Sequence, residues 1–302
     1  MRRAIVLSIA LFVVLSFAVK ILNPIGPSII PVVGILEGEI RSNVEVSFWK
    51  NVDEVVAHVK KKDVDIVVIP VSMGANLYNR GIDIKLSAVT MWKAFYLVGK
   101  EKINGVWDLV GEKVYMPHTK GTTVDVVLRY MLKRLGFDPD KDVKLVYAPP
   151  QEIVALMKAN RVKFAALPEP FVTIASKIPG FEIVLDFQKE WALFTGLEPR
   201  IPITGVFILK DTPEVKKALE DLRKSLGWAL KNSEKACELA TRYLKKFKKA
   251  ILLEAFKRSD YDFRYASSDY VKRSVMEYLE VINETYPKAM PKVPDEGFFQ
   301  SR

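Results

Sequence analysis

Residues 115–137 read YMPHTKGTTVDVVLRYMLKRLGF, and they join a short apolar run to an amphipathic segment through a polar loop. Thr122 and Asp125 have the spacing of a capping box, and Gly136 stands where a glycine commonly ends a helix. Between them, apolar residues recur at three- and four-residue steps, which places them on one buried face: Val124, Val127, Tyr130, Met131 and Leu135. The stretch therefore predicts a strand, a loop and a helix over 122–136.

The start of such a helix can bind an anion, because its first backbone N–H groups are unpaired and the helix dipole is positive there. Gly121 leaves room for a ligand to approach, the hydroxyls of Thr122 and Thr123 can donate hydrogen bonds, and Lys120 adds positive charge. An ordinary capped helix with a surface lysine explains this stretch equally well. The surrounding sequence has to decide between the two interpretations.

Strands and helices alternate on both sides of this stretch. Two blocks with a βαβ rhythm include the buried runs DVDIVVIP (63–70) and KFAALPEPF (163–171). Helical patterns then cover 212–231, 233–247, 250–258 and 268–285. This order predicts an α/β protein with mostly parallel sheets flanked by helices.

Three apolar runs end in the same way, at a proline with a polar residue one or two positions after it. These ends lie at Pro70-Val71-Ser72, at 117–122 and at Pro168-Glu169-Pro170. Ligands of open parallel sheets bind beyond the carboxyl ends of the strands. We therefore expect the polar residues at these ends to face one crevice.

The composition is that of a globular chain that leaves the cytoplasm. Its 302 residues allow two domains, 49% of them are hydrophobic, and the formal net charge is +10, with basic and acidic residues interleaved. Residues 1–18 have two arginines and then an apolar stretch, which predicts a secretory signal cleaved after Ala18 or kept as an anchor. Cys237 is the single cysteine, so no intramolecular disulfide forms, and its helical pattern predicts a core position.

No motif of a known catalytic or cofactor site is present. The chain has no phosphate-binding GxxxxGK[ST], no GxGxxG, no GxSxG and no HExxH, and its two histidines, His58 and His118, are far apart. One cysteine cannot build a conventional zinc site. We therefore predict no cofactor, no metal site, no catalytic residue and no nucleic-acid partner.

Several segments, in their order along the chain, resemble the extracytoplasmic substrate-binding proteins of ABC importers for nitrate, sulfonates, taurine and thiamine-precursor pyrimidines. The segments are VDIVVIPVSMGANLYNRGIDIKLSAV, the run from Trp107 to Phe171 that includes HTKGTT and ALPEPF, then PITGVFILK and LGWALKNSEKACELATRYL. The resemblance covers about residues 60–245. The segment between the first two strands is shorter than is typical of that family, and a lipobox is absent.

The resemblance implies a two-lobe periplasmic-binding-protein type II fold, with a solute held between the lobes. Lobe 1 would comprise residues 19–99 and 205–302, and lobe 2 residues 100–204. The crossing strands would lie near Phe95–Lys100 and Thr204–Leu209. The protein would be a monomer that delivers a small solute to a membrane permease and its ATPase, and it would touch the membrane only through that permease or an uncleaved anchor.

The resemblance also implies a set of ligand contacts from both lobes: Pro27, Ser28, Val71, Ser72, Thr90, His118, Gly121, Thr122, Thr123, Glu169 and Thr204. For Ser28 and Ser72 the alternative is helix capping, and for Glu169 it is a solvated loop carboxylate. Glu169 would disfavour a bare oxoanion but would accept hydrogen bonds from an aminopyrimidine. Such a planar ligand could stack on aromatic residues that could equally be core residues: Trp49, Trp92, Tyr115, Phe171 and Trp191.

Two other functions remain open from the sequence. The first is an enzyme on the same fold, of the pyrimidine-precursor or menaquinone-pathway type, with His118 as a general base. The second is a membrane-tethered sensor that binds a ligand but does not take part in transport. The N-terminal signal argues against the enzyme, because those reactions take place in the cytoplasm.

Overall fold

The computed structural model describes residues 18–301, so the predicted signal segment lies outside the described residues except for Ala18. Within this part of the chain, no helix has both the length and the apolar character that a membrane span requires. The described residues form two β-sheets, each flanked by helices. The α/β class predicted from the sequence is thus confirmed.

The first sheet has six strands in the order β11-β4-β10-β3-β1-β2. Strand β1 pairs in parallel with β2 and β3, whereas β10 lies antiparallel between β3 and β4, and β11 is antiparallel to β4. Strands β1 to β4 therefore all run in the same direction. The strands are β1 Val19–Pro24, β2 Val44–Trp49, β3 Ile66–Pro70, β4 Lys85–Lys93, β10 Thr204–Ile208 and β11 Asp260–Tyr265.

The second sheet has five strands in the order β7-β6-β8-β5-β9. Strand β6 is parallel to β7 and β8, and β5 is antiparallel to both β8 and β9. In each sheet, one antiparallel strand lies where the chain passes between the sheets. This strand is β5 where the chain leaves the first sheet and β10 where it returns. The strands are β5 Phe95–Gly99, β6 Lys113–Pro117, β7 Lys144–Ala148, β8 Phe164–Pro168 and β9 Glu182–Asp186.

The outward passage is short and lies before the boundary predicted at residue 99. Only Ala94 separates β4 from β5, and β5 already pairs with strands of the second sheet. The side chain of Gln188 fixes this passage, because its Oε1 accepts the N–H groups of Ala94 and Phe95 and its Nε2 donates to the Phe95 carbonyl at 2.8 Å. The sequence reads as one apolar run across Ala94, so it does not reveal where the chain changes sheets.

The helices cover the faces of both sheets. They are α1 Ile29–Leu36, α2 Val52–Lys61, α3 Val71–Asn79, α4 Thr123–Arg134, α5 Pro150–Lys158, α6 Phe171–Ala175, α7 Phe187–Thr195, α8 Pro213–Lys231, α9 Ser233–Ala240, α10 Lys249–Arg258 and α11 Asp269–Thr285, with short 3₁₀ turns at Val106–Leu109 and Glu296–Phe298. The helix predicted over 233–247 is shorter than expected, because α9 ends at Ala240 and a loop follows. Cys237 on α9 is fully buried, as predicted, and burial raises the pKa of its thiol to about 11.

The predicted capping box at the start of α4 forms only in part. Asp125 accepts the backbone N–H of Gly121 at 2.8 Å, but the hydroxyl of Thr122 donates to the Thr119 carbonyl at 3.0 Å and does not cap the helix. The Asp125 carboxylate is also bound by Arg129 and by the hydroxyl of Tyr147. The start of α4 is therefore held by a buried polar network.

One hydrophobic cluster runs through both sheets and ties them together. At its centre, the ring of Trp191 on α7 lies 6.1 Å from that of Tyr130 on α4 and 6.3 Å from that of Tyr278 on α11. Burial of this kind is the main source of stability in a chain without disulfides. A large cleft remains between the two sheets, next to the carboxyl ends of their parallel strands.

Candidate functional site

A cleft of about 690 Å³ lies between the two halves of the fold. Both halves contribute to its walls. The walls come from residues 24–28, 49–50, 70, 91, 94 and 203 of the first sheet and the segments next to it, from 95, 118, 150–151 and 168–171 of the second sheet and the segments next to it, and from 243–247. Its position at the carboxyl ends of β1, β3, β6 and β8 agrees with the crevice expected from the sequence.

Four of the predicted ligand contacts line this cleft, namely Pro27, Ser28, His118 and Glu169. Two of the aromatic candidates, Trp49 and Phe171, line it as well. Ser28 precedes α1 but its side chain makes no capping hydrogen bond, so helix capping does not account for it. Whether these residues contact a solute stays a prediction.

Glu169 is a buried, paired carboxylate and not a solvated one. Its side chain is 1% exposed, and its Oε1 accepts a hydrogen bond from Nη1 of Arg258 on α10 at 2.6 Å. Its Oε2 accepts the backbone N–H and the hydroxyl of Thr173, at 3.1 and 2.8 Å. Attraction to Glu169 and Glu254 outweighs the effect of burial and raises the pKa of Arg258. Both oxygens of Glu169 therefore already have strong donors.

His118 stands where β6 ends, at the edge of the cleft. Its backbone has a φ of 62°, in the left-handed region that non-glycine residues seldom adopt, and its N–H donates to the Ala148 carbonyl at 2.9 Å. Such conformations concentrate at ligand-binding and active sites. Partial burial against the cleft wall lowers the pKa of the imidazole. The lower pKa favours the neutral imidazole, which can both donate and accept a hydrogen bond.

The Gly-Thr-Thr junction lies beside the cleft and packs against the C-terminal part of the chain. The hydroxyl of Tyr278 on α11 donates to Thr123 Oγ1 at 2.9 Å and also interacts with the hydroxyl of Ser72. Burial raises the pKa of Tyr278 to about 12, so this hydroxyl stays protonated. Gly121 has a φ of 89° and lies so close to Tyr286 that an added Cβ would stand 2.9 Å from its ring. The structure thus brings Ser72 and Thr123 together around a protein hydroxyl.

Three further predicted contacts are core residues. Val71 is fully buried, and Thr90 and Thr204 are 6% and 8% exposed. The hydroxyl of Thr90 donates to the Thr204 carbonyl at 3.5 Å, and the hydroxyl of Thr204 lies 3.9 Å from the sulfur of Met91. These contacts join β4 to β10, so they stabilise the return of the chain into the first sheet.

The remaining aromatic candidates pack inside the protein. Trp92 and Trp191 are fully buried, and the indole N–H of Trp92 donates to the Asp262 carbonyl at 2.9 Å. Tyr115 packs against the apolar cluster between the second sheet and helices α5 and α6. For these three residues the core interpretation is correct.

The loop 243–247, which we call the cleft loop, was not among the predicted site residues. It contributes Tyr243, Leu244, Lys245, Lys246 and Phe247 to the wall. The segment RYLKKFKKA places two aromatic residues around a run of lysines, a pattern that would have identified it. Its helical periodicity extended the predicted helix 233–247 across it instead.

The described residues offer little for catalysis or metal binding. Across 18–301, no group of three or more His, Cys, Asp or Glu side chains is placed to hold a metal ion. The His, Asp and Glu side chains in the described cleft wall are those of His118 and Glu169, and Glu169 is occupied by Arg258 and Thr173. The arrangement is suited to binding a molecule between two apolar walls.

Comparisons with known proteins identify this fold. Residues 67–190 match the model of the NMT1-like family. The structure superposes on an ABC transporter protein from Parabacteroides distasonis with a TM-score of 0.79 and 28% identity, over 95% of this chain and 100% of that one. No curated protein matches the chain in sequence.

More distant structures show the same fold. The periplasmic aliphatic sulphonate binding protein of Escherichia coli has a TM-score of 0.76 at 14% identity, over 95% of this chain and 92% of that one. The alkanesulfonate-binding protein of Xanthomonas axonopodis, bound to MOPS, has a TM-score of 0.70 at 11% identity, over 95% and 99%. The resemblance to ABC-importer binding proteins and the two-sheet fold inferred from the sequence are confirmed.

Proposed function

We propose that this protein is the solute-binding component of an ABC importer, which captures a small organic solute in the cleft and delivers it to a membrane permease. The observation that carries the proposal is the cleft itself, about 690 Å³ in volume and walled by both halves of the fold. The confirmed fold supports it, since proteins named as ABC-transport and sulphonate-binding proteins share this architecture. Neither sheet alone could enclose a ligand there.

The size and lining of the cleft favour an organic solute over a bare oxoanion such as nitrate. Pockets for small organic ligands usually measure about 300–1,000 Å³ and are largely apolar. A bare oxoanion such as nitrate consists of a few atoms and would leave most of this cleft unfilled. Trp49, Phe95, Phe171 and Phe247 supply aromatic surface, and Ser28 and His118 supply polar groups that can orient a ligand.

An enzyme is the weaker interpretation of the same cleft. A general base must be free to reach the proton that it removes, and the carboxylate in the wall, Glu169, already accepts hydrogen bonds from Arg258 and Thr173. We therefore assign no catalytic residue. An extracytoplasmic location, export through the N-terminal segment, a permease with its ATPase as partner and a monomeric state complete the proposal.

The test is native mass spectrometry of the purified protein, followed by identification of any small molecule released from it. Gly26 lines the cleft, and the space next to its Cα is open, so Gly26→Phe should fill part of the cleft without straining the backbone. Gly227 on α8 is equally open but lies outside the cleft wall, which makes Gly227→Phe the matched control.

We expect the native protein and Gly227→Phe to bind a solute and Gly26→Phe to lose it while keeping its circular dichroism spectrum. A metabolite panel screened by thermal shift covers the case in which the protein purifies without ligand. A protein that neither carries nor binds any small molecule, or a Gly26→Phe variant that binds normally, would refute the proposal.

A further inference from the structure

The cleft loop, residues 243–247, is fixed at both of its ends. At one end, the hydroxyl of Tyr243 donates to Glu37 Oε1 at 2.8 Å, and its ring lies 5.8 Å from that of Phe48 beside the first sheet. At the other end, the ring of Phe247 packs edge-on against Phe171 of α6 at 5.6 Å, beside the second sheet. The loop therefore spans the two halves and holds the residues between its anchors over the cleft.

Two of the residues held in this way, Lys245 and Lys246, are exposed and line the cleft. Lys50, at the end of β2, lines it too. Within residues 18–301, none of these three lysines has a carboxylate in an ion pair. Unpaired cations on the wall of a partly enclosed cleft attract anions and strengthen binding to their charged groups.

The carboxylates of Glu169 and Glu37 do not cancel this charge, because they are engaged elsewhere. Glu54 accepts the backbone N–H of Lys50 at 2.8 Å and so offsets part of the charge of that lysine only. Glu169 is paired with Arg258, and Glu37 with Arg242 and Tyr243. A solute with a cationic group would meet the three lysines and find no free acceptor among these carboxylates. The mouth of the cleft therefore discriminates by charge in favour of anions.

Two of the donors or acceptors expected at the start of α4 are already engaged in this arrangement. The N–H of Gly121 is bound by the Asp125 carboxylate, and the hydroxyl of Thr123 accepts from Tyr278. Ser28 and His118 in the cleft wall are neutral donors, and the positively charged donors there are the lysine ammonium groups.

We propose that Lys245 and Lys246 are specificity-determining residues that bind an anionic group of the solute, and that the solute is an organic anion whose apolar body lies between Trp49, Phe95 and Phe171. The inference rests on the proposed function and specifies the class of solute. The apolar body fills the inner cleft, and the anionic group reaches the rim. His118, in its neutral form, adds a hydrogen bond and no charge.

The experiment uses three probes with the same body and different charge: 1-hexanesulfonate, 1-hexanol and hexylammonium. Their binding to the full chain is measured by isothermal titration calorimetry at pH 7.5 and low salt. We expect the sulfonate to bind at least about tenfold more tightly than the other two, and the preference to shrink in 0.5 M NaCl, because exposed charge interactions are screened.

The variant Lys245→Ala/Lys246→Ala should lose this preference, with a dissociation constant for the sulfonate raised about tenfold and that for hexanol unchanged. Lys60→Ala/Lys61→Ala is the matched control, because it removes two adjacent exposed lysines from the end of α2, outside the cleft wall. This control should bind all three probes like the native protein.

Equal or tighter binding of hexanol or hexylammonium, or a double variant that keeps the preference for the sulfonate, would overturn the inference. Failure of all three probes to bind would overturn it as well. A neutral or cationic solute identified by native mass spectrometry would overturn it while leaving the proposed function intact. The absence of any solute would count against both.

Discussion

The ion pair between Glu169 and Arg258 allows a quantitative test of how the cleft wall is held. The change is Arg258→Met, which keeps most of the side-chain volume and removes the charge. It leaves the Glu169 carboxylate, 1% exposed, without its cation. Two donors remain, the N–H and the hydroxyl of Thr173, at 3.1 and 2.8 Å.

The expected cost follows from these contacts. Removing one partner of a buried ion pair destabilises a protein by about 3–5 kcal/mol, because the other charge stays buried. Here the lower end applies, since Thr173 keeps two hydrogen bonds to the carboxylate and the side chain of Arg258 is 24% exposed, so that water can take its place. The exposed pair with Glu254 adds less than about 1 kcal/mol. We therefore expect a loss of about 3 kcal/mol.

Urea unfolding followed by circular dichroism measures this loss, with the slope of the transition checked for two-state behaviour. Arg258→Met combined with Glu169→Gln should be less destabilised than the sum of the two single variants by about 2 kcal/mol, because no buried charge is then left unpaired. Lys177→Met is the control, since it breaks only an exposed ion pair with Glu254. A loss below about 1 kcal/mol, or additive single variants, would refute the reasoning.

Two further predictions concern the Gly-Thr-Thr junction and the edge of the cleft. Tyr278→Phe removes a buried hydroxyl donor and should lower the free energy of unfolding by about 1–2 kcal/mol, because Thr123 loses its partner. In urea unfolding, the double variant with Thr123→Val should recover part of that loss. A cost near zero for Tyr278→Phe would contradict the hydrogen bond. His118→Gln should flatten the pH dependence of stability below about pH 6.5, the pKa of an unfolded histidine. Burial lowers the pKa of His118 in the folded state, so the unfolded chain binds more protons as the pH falls from 6.5 towards the folded pKa, and stability is lost over that window. Urea midpoints at pH 7.5, 6.5 and 5.5 measure this slope, and identical slopes in the native protein and the variant would exclude the effect.

Much of the fold could be predicted because local patterns determine it. Hydrophobic periodicity gave α4, α8, α10 and α11 nearly to their ends, and buried apolar runs gave β3 and β8. Strand β11 was missed, because its sequence, DYDFRY, is half charged and forms an edge strand with an irregular register against β4. The change of sheet at Ala94 depends on Gln188, 94 residues further along the chain, and no local pattern reports such a contact.

The candidate site also has features that local patterns predict and features that depend on distant contacts. Pro27 and Ser28 follow β1 of the first sheet, and His118 and Glu169 follow β6 and β8 of the second. Parallel strands place their carboxyl ends along one edge of a sheet, so each pair could be expected at a ligand-binding edge. Periodicity does not show that the two edges face one cleft. The partners that define their chemistry come from far along the chain. Arg258 lies 89 residues from Glu169, and Tyr278 lies 155 residues from Thr123. Periodicity within a segment carries no information about such pairs.

The charge of the cleft is therefore decided mainly by residues 243–258, with Lys50 as the one basic contribution from a strand end within the described cleft wall. From the strand ends alone, Glu169 would make the site an acceptor for an amino group. Arg258 occupies that carboxylate, and Lys245 and Lys246, from the same part of the chain, add positive charge at the opening. One segment thus neutralises the acid in the wall and supplies the cations at the rim. Because this segment lies apart from the strand ends, its lysines can be substituted without disturbing either sheet. The preference of the cleft for anions or cations can be altered by such substitutions.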